Sequence, residues 1–186
     1  WTDEKIQSDE RVFCGLDLNV GACFLQIMVR RGEEFHIVDE AYPEDTPKVV
    51  DYLQKRFPQQ IANSDLVVIP DAASKQRTTT NAKESDLSLL KRGGFNVKVQ
   101  SSNPAVQDRV NCVNVLLRAN RLKVHGNCKW LIKSMEQQAF TKTGAPEKGI
   151  GGREDISGPV DALGYMISYI APLRRWQAGG SSIRVW

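Results

Sequence analysis

The sequence predicts a mixed α/β domain: five strands, the first three antiparallel and the later ones parallel, flanked by helices. Three observations predict it. Strand-like runs open the chain and follow one another through short glycine turns, as hairpins do. Later strand-like runs are separated by helical patterns, which is how parallel strands are connected. The last helical stretch is apolar on most sides and belongs against a sheet rather than in water.

Val12 to Leu18 is apolar and partly β-branched, the pattern of a strand covered on both faces. Asn19-Val20-Gly21 turns the chain into Ala22 to Arg30, and Arg31-Gly32-Glu33 turns it into Phe35 to Tyr42. Thr46 reads as a helix cap with Pro47 at the first helical position. Val49, Val50, Leu53 and Phe57 then recur at helical spacing until Pro58 stops the helix. Leu66 to Ile69 is the fully apolar run of a central strand, ended by Pro70 with Asp71 at its tip. Glu84 to Arg92 reads as a short helix closed by Gly93-Gly94, and Phe95 to Val99 alternates as a fifth strand. Asn103-Pro104 caps a helix whose Val106, Val110, Val113 and Leu117 form one stripe. Leu122 to Val124 is too short to assign from its pattern. Asn127 caps a helix to about Phe140, and Thr141 to Ser157 is a glycine-rich, mobile loop. Gly158-Pro159 starts the final helix, through Ile170. Right-handed crossovers place the fourth strand beside the first.

With 186 residues, 41% hydrophobic and 25% charged, the chain is the size of one domain with its own core. The net charge of +3 permits an acidic partner such as nucleic acid without binding it tightly. No apolar run approaches a membrane span, and the first ten residues are too polar for a signal peptide. Cys14, Cys23, Cys112 and Cys128 form no CxxC pair and read as reduced, mostly buried thiols of a cytosolic protein. His125 and Cys128 alone are too few for structural zinc. The phosphate loop GxxxxGK[ST] is absent, so any ATP-driven activity is expected of a separate segment. The expected division is a linker end at 1–11, the domain at 12–175 and a flexible tail at 176–186.

Asp17 stands near the end of an otherwise apolar strand, where a buried acid is expensive unless something pairs with it. Strand order brings Asp71 beside it, and Asp161, placed in the first turn of the last helix, can complete the group. Carboxylates that converge repel one another and are stable together mainly around a cation. Oxygen donors without cysteine or histidine select hard ions, Mg²⁺ or Mn²⁺. A pair of such ions about 3.5–4 Å apart can activate the attacking water and stabilise the leaving oxygen of a phosphodiester. Each acid also has an ordinary reading: Asp71 as a loop cap, Asp161 as a favourable charge near a helix N-terminus. Asp155 is a rival third ligand. Around the acids, Lys75, Arg77, Arg109, Asn111 and Asn114 suit phosphate contacts that hold DNA without reading its sequence.

Four ordered pieces carry a resemblance: Gly15-Leu16-Asp17-Leu18-Asn19-Val20, Ile69-Pro70-Asp71-Ala72-Ala73-Ser74, Asn103 to Asn114, and Pro159-Val160-Asp161-Ala162-Leu163-Gly164-Tyr165. Over about Val12 to Ile170 the chain resembles the nuclease domain of the large terminase subunit of tailed bacteriophages, a ribonuclease H-like fold. The resemblance implies an endonuclease that cuts concatemeric double-stranded viral DNA during genome packaging, with one or two Mg²⁺ or Mn²⁺ ions. By position it implies Asp17, Asp71 and Asp161 as catalytic metal ligands. Where some members carry a histidine three residues before the last aspartate, this chain has Gly158. It further implies a preceding ATPase motor domain, a terminase small subunit and a portal protein as partners, and the cytoplasm of an infected bacterium as location. Competing readings are a Holliday-junction resolvase or integrase-like nuclease, and a non-cleaving module that grips DNA for a motor. An actin-like phosphotransferase ranks last, because no glycine-rich phosphate loop follows the first strand.

Overall fold

The three antiparallel strands of the sequence reading are β1 (Val12–Asn19), β2 (Ala22–Arg31) and β3 (Glu34–Ala41), paired in chain order. A computed structural model describes residues 1–75, 84–139 and 155–173. Arg77, the Gly144 to Gly152 loop and the 176–186 tail lie outside the described residues. On the free edge of β1 lies β4 (Leu66–Pro70), parallel to it, where the sequence reading places the fourth strand. The short β5 (Asn96–Val97) adds to β4, and β6 (Leu122–Val124) adds to β3, both parallel. The sheet order is β5-β4-β1-β2-β3-β6, so it has six strands where pattern alone predicts five. The sixth is three residues long, below the length at which alternation can be recognised; only its pairing with Phe35–Ile37 defines it.

Two helical layers cover the sheet. Val12, Cys14, Leu16 and Leu18 of β1 face α1 (Thr46–Arg56), α2 (Pro58–Ala62) and α3 (Asp86–Arg92). The opposite face packs on α4 (Val106–Arg118), α5 (Lys129–Gln137) and α6 (Ser157–Ile170). Leu16, Leu25, Ile27, Leu53 and Leu66 are completely buried, each contributing about 2 kcal/mol of apolar transfer. The caps differ from the sequence reading. Asp45, not Thr46, caps α1, its Oδ1 accepting from the Lys48 N–H at 2.9 Å. Thr46 instead donates its hydroxyl to Asp86 Oδ1 on α3 at 2.8 Å. At α5 the cap comes from another strand: the Glu40 carboxylate accepts from Trp130 N (2.8 Å) and Leu131 N (3.0 Å), and Cys128 takes the terminal position.

Residues 1–11 lie against the domain. Thr2 bridges to His125, Gln60 Nε2 donates to the Gln7 carbonyl at 3.1 Å, and Arg31 pairs with Glu4 and Glu10. The Thr2 hydroxyl also meets His36 Nδ1 at 2.7 Å. His36 is buried, and burial lowers its pKa below the ordinary 6.5; Glu34 and Glu4 oppose the shift, while Lys123 and Arg31 reinforce it. Glu34 is substantially exposed, so its contact at 3.3 Å is screened and burial prevails. With a depressed folded-state value, the unfolded chain takes the proton first. The His36 contribution is therefore whole above pH 6.5 and is lost as pH falls through the folded value. The Tm is expected to drop between about pH 7.5 and about pH 5.5, and His36→Gln to shallow that drop. Identical pH slopes in both proteins would show that the ring does not titrate within the fold's stability range.

All four cysteines are free and buried, and burial pushes the Cys23 and Cys128 thiols up to about 12. Among the described residues, no helix is long and apolar enough to cross a membrane.

Candidate active site

Alternation along β1 sends its odd-numbered residues to the α6 face. The side chain missing from Gly15 is what lets the helix sit there. A Cβ at that position would stand 2.3 Å from the Ala162 carbonyl oxygen and 2.9 Å from Met166 Cβ. Gly158 does the same over β2, where a Cβ would come within 2.2 Å of the Phe24 ring. With the helix this close, Asp17, two residues beyond Gly15, lies beside it. Val67 and Ile69 of β4 pack in the α6 core, so the same alternation carries Asp71 onto this face. Leu16 pairs with Pro70, and the Asp71 N–H donates to the Leu16 carbonyl at 3.2 Å, extending the ladder. Two acids thus occupy neighbouring ends of central strands, and both are nearly buried, Asp17 at 7% and Asp71 at 3% exposure. Asp17 Oδ2 accepts from Asn19 Nδ2 at 2.7 Å.

The segment after Asp71 is fixed by backbone acceptors and one side chain. Ser74 Oγ donates to the Asp71 carbonyl at 2.6 Å, and the Ala72 N–H donates to Asn103 Oδ1 at 2.6 Å. Asn103 is therefore a clamp on this loop rather than the cap of α4, which begins at Val106 without a side-chain cap. Lys75 Nζ donates to the carbonyls of Gln100 (2.7 Å) and Ser101 (3.2 Å).

Asp161 arrives from α6. That helix starts at Ser157, so Asp161 stands past its first turn rather than within it. Its Oδ1 accepts from Arg109 Nη2 at 2.6 Å. Arg109 Nη1 donates to the Pro104 carbonyl at 3.1 Å, and the guanidinium lies 4.4 Å from the Tyr165 ring centre. The Tyr165 phenol is pushed above its ordinary range, first by burial and then by the charges of Asp17, Asp161 and Asp71, with Arg109 opposing. Tyr165 enters the sequence reading only as the end of the Pro159–Tyr165 piece of the resemblance, with no chemical role assigned, although its four-residue spacing from Asp161 puts both on one helix face.

Among the described residues, no three His, Cys, Asp or Glu side chains form a group able to hold one metal ion. Asp17 and Asp71 come together at the strand ends, while Asp161 is engaged by Arg109. Asp155, the rival third ligand, is also engaged: its Oδ1 accepts from the Ser157 N–H (2.8 Å) and Oγ (2.7 Å) at the start of α6. The donors fit a hard divalent cation, because two nearly buried carboxylates offer oxygen ligands of the kind that suits Mg²⁺ or Mn²⁺.

The residues expected to touch DNA separate. Lys75, four residues after Asp71, is exposed, with its ammonium on the Gln100 and Ser101 carbonyls. Arg109 is 6% exposed and turned inward, because α4 presents that position to α6; it is no phosphate contact in this geometry. Asn111 is half-buried and accepts from Gln107 Nε2 at 3.2 Å. Asn114 is half-buried at the rim of a cavity of about 160 Å³ that Arg109 and Asp161 also line.

No family model matches the chain, and no curated protein matches it. Solved structures do. The large terminase of a thermophilic bacteriophage superposes with a TM-score of 0.68 at 15% identity, over 87% of this chain and 39% of that one. This chain therefore spans about two-fifths of the length of that terminase. The nuclease domain of the P22 large terminase gives 0.64 at 13% identity, over 89% and 83% of the two chains. The nuclease domain of the large terminase from bacteriophage SPP1, solved with bound Mn, gives 0.60 at 12% identity over 86% of each. By superposition, this chain has the fold of the phage large-terminase nuclease domain.

Proposed function

We propose that this domain is a metal-dependent endonuclease that cuts concatemeric double-stranded DNA as a viral genome is packaged. The observation that carries the reading is the pair Asp17 and Asp71, nearly buried at adjacent ends of two central parallel strands. The Mn in the similar SPP1 domain supports a divalent ion as the cofactor. Asp17 and Asp71 would hold Mg²⁺ or Mn²⁺, with Asp161 as a third donor. Such an ion supplies acidified water and charge stabilisation for an attacked phosphodiester.

The chain's own residues do the rest. Asn19 orients the Asp17 carboxylate through its amide, and the Asn103 clamp fixes the backbone beside Asp71. Lys75 and Arg77 follow Asp71 and would meet phosphates, giving attachment without sequence preference. At a net charge of +3, isolated-domain affinity for DNA is weak and falls with salt. Firm engagement would then depend on an ATPase motor domain, a small subunit and a portal acting together in an infected bacterial cell.

Supercoiled plasmid incubated with the protein in Mg²⁺, Mn²⁺ or EDTA tests the reading. Nicking and linearisation with either metal and none in EDTA is the expected result. DNA binding with no cutting under any metal would replace the nuclease with a gripping module.

A further inference from the structure

Asp161 of α6 and Arg109 of α4 stand 52 positions apart in sequence and are joined by a polar contact of 2.6 Å. The two partners are unequally placed. The Arg109 side chain is 8% exposed, while that of Asp161 is 26% exposed and remains reachable from solvent. Arg109 is gripped on several sides: by the Pro104 carbonyl, by the Tyr165 ring, and by Gly164, where a Cβ would stand 3.2 Å from Arg109 Cβ. Yet its Nε is buried and makes no hydrogen bond among the described residues. Here the fixed feature is a positive charge aimed at one carboxylate.

We propose that Arg109 is the resting counter-ion of Asp161, occupying that carboxylate and competing with a divalent ion for it. This inference rests on the metal reading above. The guanidinium 2.6 Å from Asp161 offsets that carboxylate's charge with no metal bound. A divalent ion that recruits Asp161 must displace the guanidinium or sit beside a like charge. Either way the arginine opposes it. The contrary effect, that Arg109 pre-positions Asp161 for the ion, is the smaller one. Asp161 is already placed by α6, whose Ala162 and Met166 abut Gly15, so removing the arginine frees a carboxylate without moving its backbone.

The test is Mn²⁺ affinity of the whole chain, measured by titration with electron paramagnetic resonance and by the rise in Tm on adding Mn²⁺. Arg109→Gln is expected to bind Mn²⁺ roughly five- to tenfold more tightly than the unaltered protein, with a larger rise in Tm. Arg109→Lys keeps the charge but loses the fork and the ring contact, and should fall between the two. It also carries the test if Arg109→Gln does not fold, since a broken buried pair is strongly destabilising. If both folded variants bind Mn²⁺ no more tightly than the unaltered protein, the competition does not exist. If no form binds Mn²⁺ at all, the metal reading fails and this inference fails with it.

Discussion

Asp17→Asn is expected to slow metal-dependent plasmid cutting roughly a thousandfold while leaving the domain folded. The size follows from the ligand chemistry. A neutral amide is a poor donor for a hard divalent ion, and a nearly buried site is not compensated by salt or water. The fold survives because asparagine keeps the shape of the side chain and an oxygen that the Asn19 amide can still reach. Asp71→Asn should behave alike, and the double variant should be little worse than either single one, since the two acids act as a unit. Initial rates in Mn²⁺, with Tm measured on the same samples, decide the matter. A variant that stays folded and cuts within about tenfold of the unaltered rate would remove its aspartate from the metal site.

The second large effect is on stability. Gly15→Ala should cost about 3 kcal/mol and lower Tm by roughly 6–12 °C in a chain of this size. A Cβ at Gly15 meets the Ala162 carbonyl oxygen at 2.3 Å, and a helix backbone cannot yield as a side-chain tip can. The strain would lift α6 from β1 and carry Asp161 and Tyr165 away from Asp17, so cutting should fall further than the unfolded fraction explains. Gly126→Ala is the control: nothing lies within 4 Å of its Cβ, and its effect should stay within about 0.5 kcal/mol. Denaturant unfolding at constant slope measures both. A Gly15→Ala variant as stable as the control would mean that α6 does not lie on β1 as described.

Local pattern and tertiary contact carry different kinds of information about these sites. The apolar runs and the residues between them were enough to place β1 to β4 and α1, because hydrophobic alternation is local. They also placed Asp17 and Asp71 side by side, through the handedness of one crossover. Caps were less legible. Thr46 and Asn103 are good capping residues by type, and each spends its side chain on a distant element instead, Asp86 and Ala72 respectively. Glu40 caps a helix from 90 residues away, which no local signal announces.

By itself the sequence determined the fold class, the strand order around β1, and the two strand-end acids, since each follows from periodicity and from chain handedness. Tertiary structure alone decided that Arg109 faces inward, that Asp161 is engaged by it, and that the Tyr165 ring lies against the same guanidinium. Arginine on a helix reads as a solvated or DNA-facing charge until a second helix covers it. Which face α4 turns to α6 depends on the close approach of these two helices within one layer, opened by the missing side chain of Gly164. Long-range pairs of this kind are fixed by shape and electrostatics in three dimensions, and local pattern carries no record of them.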